Sequence, residues 1–393
     1  MQEILEKKMK EWRRDIHKHP ELGFNERRTS GKIASILEEF GLEVFRGIGK
    51  TGVVAVLKNG KSKRSIGFRA DMDGLPIQEE NNFSYRSIYD KVFHGCGHDG
   101  HSAMLLGAAY CLSRQKNALY GTLYFIFQPN EENGKGALAM INDGLFKRFP
   151  MQEIYGLHNM PGLTAGKFAV REGSIMTSES IFLITVQGRG GHASMPSKTI
   201  DPIVIAAEIV LALQTIVSRS VDPDEWGVLS VTEIVTDGAR NVIPSKVIIK
   251  GDCRALETNT QRKIETRMRK IVRGICSAHG ATGKVRYKDE FIVTINTPNE
   301  TKAAIIAAQE VSGDLLVDIN CPPCGASEDF ARMLEKRPGC YILLGNGKSG
   351  HCGRSLHNPH YDLNDKILTA GCNYWVALAK ERLSARQNGR AKL

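Results

Sequence analysis

Three apolar segments of this chain are each followed by side chains that can bind a metal ion or transfer a proton. The segments are Ser65–Ala70, Gly121–Phe127 and Glu153–Leu157. The side chains that follow them are Asp71, the pair Glu131 and Glu132, and His158. Short apolar runs that alternate with helical patterns predict parallel strands joined by helices, and such strands end at one edge of the sheet. We therefore expect an α/β fold with a mostly parallel central sheet and a site at its carboxyl edge.

A glycine-rich loop lies between the first two of these strands. Residues 95–101 contain three glycines, a thiol, two imidazoles and a carboxylate. Glycines allow the backbone to turn tightly, so that Cys96 and His98 can converge on one point. The next residues, Ser102–Ala109, are small or apolar and predict a buried helix that begins at the loop. This pattern predicts a metal site; the alternative is a glycine-rich turn with incidental histidines.

Other candidate donors strengthen the metal interpretation. Glu131 and Glu132 are adjacent, so one carboxylate can bind metal while the other removes a proton from water. His357 lies in a further turn that contains Pro359. Cysteine and histidine donors favour zinc, manganese, cobalt or nickel over magnesium or calcium.

Two other interpretations of the cysteines are open at this point. Cys321 and Cys324 have the C-x-x-C spacing of a structural zinc site, with further cysteines downstream. Alternatively, Cys96 could be a nucleophile activated by a histidine base. A nucleophilic Cys96 would leave the pair Glu131 and Glu132 without a catalytic role.

The pattern of predicted elements changes near residue 178. The predicted strands of this region are 181–186, 227–234, 245–255 and 284–287. One helix begins after Asp201, and a basic helix precedes the last strand. This order predicts a smaller α+β, ferredoxin-like sandwich that is inserted as a lid. The expected domains are a catalytic domain, formed by 1–177 and 291–393, and a lid domain, formed by 178–290.

Composition excludes two classes of partner. The net charge of +10 is concentrated in residues 261–288, which carry nine Lys or Arg residues and only Glu265 as an acid. We interpret this segment as a solvated helix face, because it lacks the interleaved aromatic residues of a nucleic-acid platform. The longest apolar run, Ile203–Val217, is broken by Glu208 and Gln214, and it is shorter than the roughly 20 residues of a membrane span.

The location that we expect is the cytoplasm. The first residues are charged and helical, without the apolar core of a secretory signal. The nine cysteines are scattered along the chain, which is typical of a reducing compartment. The C-terminal tripeptide Ala391–Leu393 weakly resembles a peroxisomal address.

Several motifs, in order along the chain, resemble the M20 metallopeptidase family, and within it the amidohydrolase branch of hippurate hydrolases, N-acyl-amino-acid deacylases and auxin-conjugate hydrolases. The motifs are residues 19–22, 68–73, 94–101, 128–132, 191–194 and 357–362. The resemblance extends over almost the whole chain. The resemblance implies a catalytic domain with two divalent metal ions, and a lid that commonly forms a homodimer or a higher oligomer.

The resemblance also implies roles for individual residues. The implied metal ligands are Cys96, His98, Glu132, His158 and His357. Glu131 matches the general base, and Asp71 matches a carboxylate that orients the ligands. In the lid, His192 matches a residue that stabilises the oxyanion, and Asn241 matches one that holds the substrate carboxylate. This chain departs from the family pattern at Asn130 and Asn133, where small residues are usual.

We expect a metal-dependent amidohydrolase that acts on N-acyl amino acids, such as hippurate-like substrates. Metal-activated water would cleave the amide bond and release a carboxylic acid and a free amino acid. One alternative is a dipeptidase or carboxypeptidase on the same fold. Another, from a different class, is a non-catalytic metal-binding protein.

Overall fold

The structure is a computed structural model that describes residues 2–60, 62–115 and 119–384. The C-terminal tripeptide lies outside these residues. The chain divides into two compact units. The first unit comprises Met1–Ile175, Ile295–Pro322 and Asp329–Leu393. The second comprises Met176–Thr294 and Pro323–Glu328, and it includes the whole range expected for the lid. The expected division into a catalytic domain and a lid domain, each folding independently, stays a prediction.

The described residues form helices and strands that alternate along the chain. The helices are α1 (Gln2–Lys18), α2 (Arg27–Glu39), α3 (His98–Arg114), α4 (Gly136–Asn142), α5 (Leu145–Arg148), α6 (Pro202–Arg219), α7 (Thr258–Ala278), α8 (Pro298–Ser312), α9 (Ala331–Leu334) and α10 (Leu368–Leu383). The first strands are β1 (Glu43–Ile48), β2 (Gly52–Asn59), β3 (Ser65–Asp71), β4 (Gly121–Gln128), β5 (Glu153–Pro161), β6 (Phe168–Ala169), β7 (Gly173–Met176) and β8 (Glu179–Gln187). The remaining strands are β9 (Gly191–His192), β10 (Gly227–Thr236), β11 (Val242–Ile243), β12 (Lys246–Ala255), β13 (Thr282–Phe291), β14 (Thr294–Asn296), β15 (Val317–Asp318) and β16 (Gly339–Gly347).

An eight-stranded sheet forms the centre of the first unit. Its strand order is β1-β2-β4-β3-β5-β16-β6-β15. The central pairs β4–β3, β3–β5 and β5–β16 are parallel, whereas β1–β2, β2–β4 and β16–β6 are antiparallel. Every residue of β3 is buried, which is expected of a strand covered on both faces. The predicted α/β fold with a mostly parallel central sheet is confirmed.

The parallel pairs bring the predicted site residues to one edge of this sheet. Asp71, the last residue of β3, pairs in register with Gln128, the last residue of β4. On the other side of β3, Arg69 pairs with Gly156 of β5, two residues before His158. The carboxyl ends of three neighbouring strands therefore lie side by side, and the loops that follow them share this edge.

The second unit is an α+β sandwich. Its four-stranded antiparallel sheet has the order β10-β12-β8-β13, and α6 and α7 pack on it. The chain order β8-α6-β10-β12-α7-β13 in that strand order is the ferredoxin-like arrangement. Its core contains Ile184 and Ile249 from the sheet, Ile209 from α6 and Met268 from α7.

Helix α6 has the length and composition of a candidate membrane span, with 18 residues and a mean hydropathy of 1.6. One face of the helix is buried in the core of the second unit, through Ile205, Ile209, Leu213 and Ile216. That packing is typical of a core helix in a globular protein. The helix begins where the sequence predicted, because the Asp201 carboxylate accepts a hydrogen bond of 2.9 Å from the backbone N–H of Ile203.

Candidate active site

The glycine-rich loop turns into α3 at Gly97, immediately before His98. Gly97 has a φ of +92°, a conformation that favours glycine. A Cβ atom at this position would lie 2.3 Å from Asn159 Nδ2 and 2.6 Å from the Tyr361 hydroxyl. The Asn159 amide in turn donates a hydrogen bond of 2.6 Å to the backbone carbonyl of Cys96. The glycine thus lets the loop pack closely against β5, which brings Cys96 next to the end of that strand.

Cys96 and His158 are in direct contact. The Cys96 Sγ atom lies 3.4 Å from the His158 Nε2 atom. The other ring nitrogen, Nδ1, donates a hydrogen bond of 2.6 Å to the backbone carbonyl of Asn159. Burial, together with the neighbouring His101, holds the pKa of His158 well below its usual range. The ring is therefore neutral and its Nε2 lone pair points toward the thiol, as in a metal ligand.

His98 presents one ring nitrogen to the same space. Its Nδ1 atom lies 3.0 Å from the backbone carbonyl and 3.2 Å from the Oδ1 atom of Asp73. Its Nε2 atom is buried and has no hydrogen-bond partner among residues 2–60, 62–115 and 119–384. Burial alone would lower the pKa of His98, but the charges of Asp71 and Asp73 outweigh it and raise the pKa to about 10. These carboxylates favour a positive charge at this position, which a bound cation would supply.

The carboxylate of Glu132 lies between two histidines. Its Oε1 atom is 3.9 Å from His98 Nε2, and its Oε2 atom is 3.4 Å from His357 Nε2. Oε1 is buried without a hydrogen-bond partner in the described part of the chain. The backbone fixes both residues, because Glu132 N–H donates to Asp73 Oδ2 at 3.1 Å and His357 N–H donates to the Gly95 carbonyl at 2.8 Å.

Glu131 and Asp71 lie on the same side of the site. Glu131 is 6% exposed, its Oε2 atom is 4.0 Å from His98 Nε2, and its Oε1 atom accepts a hydrogen bond of 3.4 Å from the Asp329 N–H. Asp71 is fully buried and bonds to His101 Nδ1 at 2.6 Å and to Arg69 at 2.7 Å. Burial would raise the pKa of Asp71, but the two histidines and Arg69 hold it well below its usual range. Asp71 is therefore a fixed negative charge near the donor nitrogen of His98, with Oδ2 3.8 Å from Nε2.

The donor atoms of these residues form overlapping groups in which all atoms lie within 4.8 Å of one another. The groups are Cys96, His98 and His158; Cys96, Glu132 and His357; and His98, Glu131 and Glu132. Shared members place the groups side by side. Soft and borderline donors, a neutral imidazole and two buried polar atoms without hydrogen bonds fit divalent transition-metal ions. The structure therefore brings together the five predicted ligands and Glu131.

His192 and Asn241 belong to the second unit, where they lie next to each other. His192 pairs with Val242 between β9 and β11, and Ala193 N–H donates to the Asn241 carbonyl at 3.0 Å. Both side chains are exposed. The His192 Nδ1 atom accepts a hydrogen bond of 3.2 Å from Ser194 N–H, so the neutral ring carries its proton on Nε2.

Sequence reasoning missed two residues that position the predicted ligands. Asp73 bonds to both His98 and Glu132, and Asn159 bonds to both Cys96 and His101. A signal for Asp73 was present, because it lies two residues after Asp71 at the end of a strand. Its partners, however, are 25 and 59 residues away, and the sequence alone does not pair them.

The rival zinc site gains no support from the part of the chain that the structure describes. None of the candidate metal groups found there includes Cys321, Cys324, Cys340 or Cys352. Cys340 is buried, and that burial raises the pKa of its thiol to about 12.

Comparison with known proteins identifies the family. Residues 67–381 match the profile of peptidase family M20/M25/M40. The chain belongs to this family. A hippurate hydrolase from Campylobacter jejuni is 42% identical over 94% of this chain and 95% of that protein. Thermostable carboxypeptidase 2 from Saccharolobus solfataricus is 37% identical over 95% of this chain and 96% of its own length.

A solved structure supports the same assignment. A dinuclear metal-binding peptidase of the M20 family from Bacillus subtilis superimposes with a TM-score of 0.85 and 31% identity, over 96% of this chain and 98% of that one. The predictions of family membership and of a metal-dependent amidohydrolase are confirmed. The predicted divalent-metal cofactor agrees with the family and with the donor groups described above.

Proposed function

We propose that this protein hydrolyses the amide bond of N-acyl amino acids, with hippurate-like compounds as the substrate class. The products are a carboxylic acid and a free amino acid. The observation that carries the proposal is the adjacent pair Glu131 and Glu132 beside a cluster of thiol and imidazole donors. The 42% identity to a hippurate hydrolase supports the choice of substrate class.

Two divalent metal ions complete the proposed site. The residues that would hold them are Cys96, His98, Glu132, His158 and His357. Zinc, manganese, cobalt and nickel suit this donor set. When bound, such ions supply Lewis-acid chemistry, which polarises a carbonyl group and lowers the pKa of water.

Glu131 is the proposed general base. Its carboxylate lies beside the donor cluster, and its low exposure strengthens its interaction with a proton donor in the site. Glu131 takes a proton from the attacking water and returns it to the nitrogen of the leaving amino acid. Asp71 and Asp73 keep the rings of His101 and His98 oriented during these steps. Because the nucleophile is water, Cys96 forms no covalent intermediate.

The second unit contributes two further groups to the proposal. His192 carries a proton on Nε2 in its neutral form, which makes it a donor for the oxyanion that develops on the substrate carbonyl. Asn241 immediately precedes β11, the strand that pairs with β9, and it provides an amide for the substrate carboxylate. We also propose that this unit is a lid through which the protein forms a homodimer or a higher oligomer. The predicted cytoplasmic location stays a prediction.

One other candidate function is favoured by a specific observation. The 37% identity to a thermostable carboxypeptidase supports a peptidase, whose scissile bond joins two amino acids. The two functions differ in the group on the acyl side of the scissile bond. An N-acyl amino acid has no free amine there, whereas a dipeptide has one.

A matched pair of substrates separates these functions. We expect the protein, loaded in turn with zinc, manganese, cobalt or nickel, to cleave N-benzoylglycine faster than phenylalanylglycine, which has the same leaving amino acid. N-acetyl and long-chain N-acyl glycines then define the acyl group. Faster cleavage of the dipeptide would overturn the proposal in favour of a peptidase. Absence of turnover with every metal and substrate would favour the non-catalytic alternative.

A further inference from the structure

A cavity lies away from the donor cluster, among helices α1, α3 and α10. Its volume is about 460 Å³, and its lining includes Leu5, Met9, Tyr110, Cys111, Arg114 and Cys372. Cys111 is half-buried, whereas Cys372 is 1% exposed. Helix α3 carries His98 at its first residue and Cys111 13 residues later, so the cavity is about 20 Å along the helix from the metal donors.

The two cysteine side chains of this cavity are partners. Both line this cavity, and each shifts the pKa of the other thiol. Gly107, one turn before Cys111 on α3, makes the approach possible. A Cβ atom there would lie 3.1 Å from Cys372 Sγ and 2.3 Å from Met9 Sδ, so a side chain at this position would require the Met9 side chain to move. The absence of a side chain at Gly107 thus lets Cys372 pack against the face of α3 that carries Cys111.

The surroundings of the two thiols make them chemically different. The hydrogen bond from Cys372 lowers the pKa of Cys111 to about 7 against the effect of burial, with further help from the charges of Arg114 and Lys380. The Arg114 guanidinium lies 3.7 Å from the centroid of the Tyr110 ring, and the Lys8 ammonium of α1 lies 5.5 Å from the same centroid. The pKa of Cys372 is raised well above its usual range by its hydrogen bond with Cys111 and by burial. One sulfur therefore ionises near neutral pH while the other stays a thiol.

We propose that Cys111 and Cys372 form a dithiol that hydroperoxides oxidise to a disulfide. The Cys111 thiolate attacks the O–O bond of the hydroperoxide, which gives a sulfenic acid on Cys111 and releases an alcohol, or water when the oxidant is hydrogen peroxide. The Cys372 thiol then attacks this sulfur, which expels water as the S–S bond forms. The two thiols lose two electrons in total, and the O–O bond accepts them. This site does not rest on the proposed amidohydrolase function.

Limited oxidation of the full-length, zinc-loaded protein by hydrogen peroxide tests the proposal. The protein is quenched with iodoacetamide, digested without reduction and analysed by tandem mass spectrometry. Cys96 and Cys111 lie between Lys91 and Arg114 with no other tryptic site, so chymotrypsin, which cleaves after Tyr110, is needed to separate them. We expect a peptide pair linked through Cys111 and Cys372, lighter by two hydrogens, to appear before any other cysteine is oxidised and to separate on reduction with dithiothreitol.

Variants distinguish the two roles. In Cys372→Ser the cross-link should be absent, and dimedone should trap a sulfenic acid on Cys111. In Cys111→Ser neither a cross-link nor dimedone labelling of Cys372 should appear. Cys324→Ser, a control at another half-buried cysteine, should behave like the unmodified sequence. Oxidation of any other cysteine ahead of Cys111, or a Cys111 that dimedone fails to label in Cys372→Ser, would overturn the proposal.

Discussion

The His158 Nε2 atom lies 3.4 Å from the Cys96 Sγ atom, while Nδ1 of the same ring donates its proton to the carbonyl of Asn159. This arrangement fixes the tautomer, so that the lone pair of His158 and the sulfur of Cys96 face one space. A thiol beside a neutral imidazole with a free lone pair suits a common metal ion, which would displace the thiol proton. The same contact would also suit a cysteine nucleophile and its base, and the first prediction separates the two.

We predict that Cys96 is protected from alkylation by bound metal, because a coordinated sulfur is not available to an electrophile. Iodoacetamide labelling of Cys96, followed by mass spectrometry, should be slower in the metal-loaded protein than after treatment with a chelator. The half-buried Cys352 is the control, and its labelling rate should not depend on metal. A thioester trapped on Cys96 during turnover would contradict the hydrolytic mechanism.

Replacing Glu131 or Glu132 by glutamine should have different effects on turnover and metal content. Glu131→Gln should keep its metal and lose turnover by about 10² or more, the scale of positioned acid–base catalysis. Glu132→Gln should also lose metal, because its carboxylate lies between His98 and His357. Elemental analysis and kcat, measured together on both variants, check the assignment. A metal-free Glu131→Gln beside a fully loaded Glu132→Gln would reverse the two roles.

Asp73→Asn should weaken metal binding, because Asp73 orients the ring of His98 and holds the backbone of Glu132. Loss of a carboxylate that orients a ligand typically costs about 10- to 100-fold in metal affinity. Competition with a chromogenic chelator measures the dissociation constant. Asp318→Asn, at a surface carboxylate paired with Lys167, is the matched control and should bind metal normally. Equal affinities in the two variants would show that Asp73 does not position the ligands.

The folding stability of the metal-free protein should fall at alkaline pH through His17. Burial and the charge of Arg13 lower the pKa of His17, but hydrogen bonds to Asp99 and Glu79 outweigh them and raise it to about 9. A histidine whose pKa is raised on folding stabilises the protein fully below its unfolded pKa, about 6.5, and this contribution is lost as pH rises through about 9. The contribution is on the order of 3 kcal/mol.

Urea unfolding of the metal-free protein and of His17→Gln, across this pH range, measures that contribution. The difference in unfolding free energy between the two proteins should shrink steadily from neutral pH to above pH 9. This range follows from the pKa of His17, which is about 2.5 units higher in the folded protein than in the unfolded one. Titrating groups that do not interact with His17 are common to both proteins and cancel in the difference. A difference that does not change with pH would show that His17 stays neutral in the folded protein.

The sequence predicted those parts of the fold and site that depend on local pattern. The strands that end near Asp71, Gln128 and His158, and the cap at Asp201, follow from apolar runs and from residue types at their ends. The edge strand β1 was missed, because Glu43–Ile48 mixes exposed and buried residues and is stabilised by its antiparallel pairing with β2. Asp73 was missed for the same reason: its role depends on contacts with distant residues, which no local pattern encodes.

His192→Ala should lower kcat with little change in metal content or thermal stability. The ring is exposed, so its removal leaves no cavity, and His192 belongs to a different unit from the metal donors. A hydrogen bond to an oxyanion forms only in the transition state, and loss of such a donor costs about 10²- to 10³-fold in kcat. Steady-state kinetics check this, and a change confined to KM would indicate a role in ground-state binding instead. The matched control is His279→Ala, at an exposed histidine of the same unit, which should leave kcat unchanged.

If the protein is a dimer in which His192 acts on the partner's site, two inactive variants should rescue each other. Glu131→Gln lacks the base and His192→Ala lacks the oxyanion donor, so each homodimer has two defective sites. In a mixed dimer with action in trans, one site combines an intact Glu131 with an intact His192, whereas the other site lacks both. Random exchange makes about half of the dimers mixed, and a quarter of all sites intact, so about a quarter of full activity should return. Subunit exchange is verified independently by native mass spectrometry, and exchange without rescue would place the action of His192 within its own chain.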